Sequence, residues 1–165
     1  MNFFKRYIAM PPQYGLFPYV WLIFLLFPIG YAFPYQTVKQ QAIMGLILIF
    51  LVAYRNGYVA SRYRAFWIIL QMVTSAILAV IIQAFYLNIY TAWVFGLILM
   101  RRRSFWRYYY AYLLSLIIPA VTLYWYYGGH MGRDDLIGLM VYGLFCIFSP
   151  FAASSIQRFN RKIAN

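Results

Sequence analysis

Six apolar stretches, at 17–34, 40–54, 65–83, 86–100, 104–127 and 134–153, follow one another along this chain of 165 residues and leave room for little else. About 20 apolar residues at 1.5 Å per residue cross a hydrocarbon core. The series therefore reads as a polytopic membrane protein: an all-α bundle of six transmembrane helices, with five as the alternative. Composition agrees, since 65% of residues are hydrophobic and 10% charged, where a soluble domain carries about a quarter charged.

Charge separates six spans from five. With six, Lys5, Arg6, Arg55, Arg62, Arg64, Arg101, Arg102, Arg103, Arg107, Arg158, Arg161 and Lys162 lie inside and only Lys39 and Arg133 outside, 12 against 2. If 86–100 does not cross, the count is 8 against 6. Basic residues favour the cytoplasmic side, so six spans are expected, with both termini cytoplasmic. The net charge of +12 does not indicate nucleic acid, because the basic residues sit in separate clusters between apolar segments. That layout suits loops facing anionic lipid.

The spans are unequal. The first, second and fourth are short, and the first contains Pro28. The third and fourth part only near Leu87 and Asn88, as a tight hairpin or one broken element. Tyr108, Tyr109 and Tyr110 fall at one end of the fifth span and Tyr124, Trp125, Tyr126 and Tyr127 at the other. Such rings prefer the headgroup level, with core packing as the alternative. Lys5 and Arg6 precede the first apolar stretch without a small-x-small site after it, which speaks against a cleaved signal peptide.

Little here can carry chemistry. The only carboxylates are Asp134 and Asp135, and the only histidine is His130. Together they could hold a metal or sense external pH, but an Asp pair at a helix start is the ordinary cap and dipole arrangement. No catalytic residue, cofactor or metal is expected. Lone Cys146 reads as a small buried residue. Gln71, Thr74, Ser75 and Gln83 place polar groups in the third span, and Ser115 and Thr122 in the fifth. Inter-helix hydrogen bonding is their expected role, and a polar substrate path is the alternative.

The final stretch, FSPFAASSIQRFNRKIAN, passes from apolar to basic. Tyr142, Phe145, Ser149, Ala152, Ile156, Phe159 and Ile163 are spaced alternately three and four apart, an a/d seam that leaves the membrane. An interfacial amphipathic helix with its basic face on lipid fits the same residues. Pro150 sits at the boundary and deprives the Cys146 carbonyl of its helical donor, so it marks a candidate signalling hinge.

PYVWLIFLLFP (18–28), LVAYR (51–55), FYLNIYTAWVFGLILMRRRSFWRYYYAYLLSL (85–116) and the final stretch together resemble the membrane sensor domain of DesK-type bacterial histidine kinases. The resemblance is one of pattern and aromatic placement. It implies a bacterial plasma-membrane homodimer that senses lipid thickness or fluidity, and hence temperature. Residues 1–155 would be the transmembrane sensor and 156–165 the start of a coiled-coil signalling helix leading to cytoplasmic kinase domains and a response regulator. Family members are often drawn with five spans, and the stretch MPPQYG offers only Gln13 or Tyr14 as a water-seeking group. The rival expectation is a small membrane transport or accessory subunit with a basic cytoplasmic tail.

Overall fold

The computed structural model describes residues 19, 21–60, 62–96, 105–127, 129 and 132–163. Lys5, Arg6, Arg101, Arg102, Arg103 and His130 lie outside them, as do parts of the first and fourth apolar stretches. Among the described residues the chain is helical: α1 (Leu26–Ala32), α2 (Val38–Val59), α3 (Arg64–Ile82), α4 (Asn88–Val94), α5 (Phe105–Tyr126) and α6 (Arg133–Ile163). Contacts divide it into two units, Met1–Thr74 and Ser75–Asn165, the division falling inside α3.

Three described helical segments are long and apolar enough to span a bilayer: Val38–Val59, Arg64–Ile82 and Asp135–Ile156. α5 matches them in length at 22 residues, but its tyrosines and Arg107 lower its hydropathy. The short spans anticipated at 17–34 and 86–100 appear as shorter described helices. The one anticipated as short at 40–54 does not: its helix runs Val38–Val59, 22 residues, because it extends through polar residues at both ends of the apolar run. A tight 3-10 turn, Trp21–Leu25, leads into α1, and another, Phe85–Leu87, into α4.

In the first unit, α1 packs on α2. The turn between them is built by sequence. Thr37 accepts from the Gln40 backbone, and the Gln40 side chain accepts from the Thr37 N–H in return. This reciprocal box satisfies donors that a helix start leaves open. The Gln40 and Gln41 amides donate to the Phe33 and Tyr35 carbonyls, both at 3.2 Å. The Phe33–Pro34 bond is cis. Ile43, Ile47, Phe50, Tyr54 and Tyr58 form one buried stripe of α2 at helical spacing, with Phe50 and Tyr54 stacked.

In the second unit α4 is the centre. Tyr90, Thr91, Ala92, Trp93, Val94 and Phe95 are consecutive and all buried, and of this short helix only Ile89 is partly exposed. It packs chiefly on α6, which α5 also contacts. At the far end of α5, the Gly129 N–H donates to the Tyr124 carbonyl at 3.0 Å, closing the helix with a left-handed glycine (φ 76°).

Candidate functional site at the Pro150 junction

α6 is 31 residues long and runs through Pro150. A proline has no N–H, so the Cys146 carbonyl one turn earlier has no helical donor. In a membrane interior such a group must find a partner in a neighbouring helix or a nearby hydroxyl. The structure supplies hydroxyls to three consecutive carbonyls. Ser149 Oγ donates to Phe145 O at 2.6 Å. The Tyr112 hydroxyl lies 3.3 Å from Cys146 O. The Tyr109 hydroxyl donates to Ile147 O at 2.8 Å. Tyr109 and Tyr112 stand three residues apart on α5, and so reach α6 from one face.

Rings close around this point. Phe105 and Tyr109 stack at 5.4 Å, and both meet Phe151 edge-on. Phe95, from the end of α4, lies 5.3 Å from Tyr112. Next to it, Gly96 abuts the Pro150 backbone: a Cβ there would overlap the Pro150 carbonyl oxygen and lie 2.6 Å from the Ala153 Cβ. Only glycine allows this approach. The junction is thus held by α4 and α5 together.

A polar thread joins it to α3. Ser75 Oγ donates to Asn88 Oδ1 at 2.9 Å, and the Asn88 carbonyl lies 3.3 Å from the Tyr112 hydroxyl. Ser75, Asn88 and Tyr112 are fully buried. Of the polar residues anticipated in the third span, Ser75 is the one that bonds a side chain within another described helix. Thr74 donates to Leu70 O of its own helix at 2.8 Å. Gln71 is buried with neither amide atom partnered among the described residues. Gln83 stands one residue beyond α3, at φ 55°, and its amide bonds the Tyr127 hydroxyl. Ser115 and Thr122 also bond within their own helix.

Along the anticipated seam, Ser149 is buried, whereas Phe145, Ala152 and Ile156 are exposed. The helix continues past Ile156 to Ile163, so Phe159 and Ile163 lie on it. The described residues hold no group of metal-ligating side chains, and Asp135 lies in the first turn of α6. Sequence reading gave no role to Tyr112 or Gly96 and took Asn88 only as a break between the third and fourth stretches. The available signals were a tyrosine within the fifth apolar stretch, the one asparagine inside any of the six stretches, and a glycine one residue after an aromatic.

The family model for the DesK N-terminal domain matches residues 3–153. The chain belongs to the DesK N-terminal domain family. It is similar to the sensor histidine kinase YvfT of Bacillus subtilis (strain 168), with 26% identity over 158 residues, 93% of this chain. The chain spans 42% of that relative's length. No solved structure is matched significantly. The Pro150 junction lies within the matched residues, so it is part of a DesK-type sensor domain rather than of an appended tail.

Proposed function

We propose that this DesK-type domain is the sensing part of a two-component histidine kinase. It reads the thickness or fluidity of the lipid bilayer and passes the state through α6 to cytoplasmic kinase domains and a response regulator. Six spans place both termini in the cytoplasm, and α6 pairs with its counterpart in a homodimer through the seam beyond Pro150. The observation that carries this reading is the construction of α6. Its apolar part, Asp135–Ile156, continues as helix to Ile163, and the junction at Pro150 is gripped by α4 and α5. Any rearrangement of those helices reaches the segment that leaves the membrane.

Short elements supply the sensitivity. The described stretch from Trp21 to Ala32 is about 20 Å long, from five residues at about 2.0 Å and seven at about 1.5 Å. A hydrocarbon core is about 30 Å thick. Mismatch costs fractions of a kcal/mol per Å, so several Å of thickening over the two short spans supplies about 1–3 kcal/mol. That shifts a two-state equilibrium roughly 5- to 150-fold.

The test inserts two leucines after Leu26, with kinase domains joined after Asn165 and autophosphorylation followed against temperature. Output should move toward its thin-membrane state at every temperature. An unchanged temperature response would remove the first span from the sensing mechanism.

A further inference from the structure

The Tyr112 hydroxyl has one proton and two backbone acceptors, the carbonyls of Asn88 and Cys146, each at 3.3 Å. Both distances exceed the 2.7–2.8 Å usual for a committed O–H···O bond, so the oxygen sits between its two backbone acceptors, with the Cys146 side chain also in hydrogen-bonding reach. The side chain is fully buried, as are Asn88 and Cys146, which leaves water no easy route to the carbonyl that is not served. The two carbonyls are not equivalent. Asn88 opens α4, where its carbonyl can accept from the backbone N–H four residues on. Cys146 faces Pro150 and has no such donor.

We propose that Tyr112 is a shared donor, a latch whose single proton passes between α4 and α6 as the proline junction changes geometry. With α6 seated on α4, the proton goes to Cys146 and stands in for the bond Pro150 cannot make. When the Cys146 carbonyl swings away, the proton goes to Asn88. Gly96 against Pro150 is the fulcrum, because backbone contact there keeps the two helices together while the turn before it moves. The chemistry of the latch stands on this geometry alone. That lipid thickness drives it rests on the function proposed above.

The sequence allows both carbonyls to be observed singly. Cys146 is the only cysteine, and Cys146–Ile147 and Asn88–Ile89 are the only Cys–Ile and Asn–Ile pairs in the chain. The chain is prepared with [15N]isoleucine and either [1-13C]cysteine or [1-13C]asparagine. It is reconstituted in phosphatidylcholine vesicles with 14- or 22-carbon monounsaturated chains. Solid-state NMR then selects the one carbonyl bonded to a labelled nitrogen, and a carbonyl that gains a hydrogen bond moves downfield.

The two resonances should move in opposite directions between thin and thick bilayers. Tyr112→Phe should move Cys146 upfield and abolish the reciprocity. Pro150→Ala gives Cys146 a backbone donor and should drive Asn88 to its bonded position, a readout that survives if Tyr112→Phe does not fold. A Cys146 resonance indifferent to Tyr112→Phe overturns the latch. So does an Asn88 resonance that ignores Pro150→Ala. If both variants act as stated but wild type ignores bilayer thickness, the latch stands and lipid thickness is not its driver.

Discussion

Gly96 and Pro150 touch backbone to backbone, with no room between them for a single methyl group. The contact joins the last described residue of the α4 segment to the one proline of the last helix. Two sequence choices with separate costs, a glycine and a proline within apolar helical segments, are thereby explained by one another. The proline frees the Cys146 carbonyl, which the Tyr112 hydroxyl of α5 engages, and the glycine lets α4 lie on the turn that results.

Gly96→Ala forces this contact apart. Overpacking of this kind costs about 1–3 kcal/mol, and α4 has little room to move because every residue from Tyr90 to Phe95 is buried. Gly143→Ala is the control: on the same α6, a Cβ there meets nothing within 4 Å. It should be neutral or stabilise by up to about 1 kcal/mol through helix propensity. Unfolding in a detergent series, followed by helical circular dichroism, should rank the two in opposite directions from wild type. Equal stability of the two variants would mean that α4 does not sit on Pro150.

Tyr112 and Pro150 should be energetically coupled. Tyr112→Phe strands the Cys146 carbonyl, and hydrogen bonds within membranes average about 0.6 kcal/mol and reach about 2. In a Pro150→Ala chain the backbone supplies the donor, so the same substitution should cost less. The double-mutant cycle should give a coupling of about 0.5–1.5 kcal/mol by the same unfolding measurement. Tyr109→Phe, whose hydroxyl serves Ile147 rather than Cys146, should couple to Pro150 more weakly.

The helical membrane class and the family were legible in the sequence because they rest on long-range features: apolar run length, the spacing of basic clusters, and aromatic placement. Pro150 was legible because a proline announces a missing donor. Its partners were not, because hydroxyl and carbonyl meet across 34 residues of chain between Tyr112 and Cys146. Asn88 illustrates the same limit. A lone polar residue between apolar runs reads as a turn, yet it is fully buried at the start of α4 and accepts from Ser75. Tyr109 and Tyr110 are neighbours in one aromatic run, but helical geometry turns Tyr109 into the core at 6% exposure and Tyr110 outward at 63%. The interfacial reading of that run thus fits Tyr110, and the core alternative fits Tyr109.

Topology is decided by labelling. Cysteines at Asn2 and Asn165, in a Cys146→Ser background, should both resist a membrane-impermeant thiol reagent in intact cells and react after permeabilisation. This follows from the basic residues flanking the apolar stretches. Labelling at position 2 alone would establish five spans and move the basic N-terminal cluster outside.

The seam beyond Pro150 makes the most local prediction. Ile156 is 46% exposed in the single chain, and Arg158 is exposed as well, so exposure does not distinguish them. Register does: Ile156 and Ile163 are one heptad apart on a continuous helix, whereas Arg158 and Arg161 fall on neither a nor d positions of that seam. Single cysteines at Ile156 and Ile163, again in Cys146→Ser, should crosslink between chains several times faster than cysteines at Arg158 or Arg161. Pro150→Ala restores a backbone bond and stiffens the junction, so it should narrow the difference in crosslinking between cold and warm membranes. An amphipathic helix lying on lipid would instead bring none of the four positions systematically against a partner. Equal rates at all four would therefore assign this segment to the membrane surface and leave α6 without a dimer seam beyond Pro150.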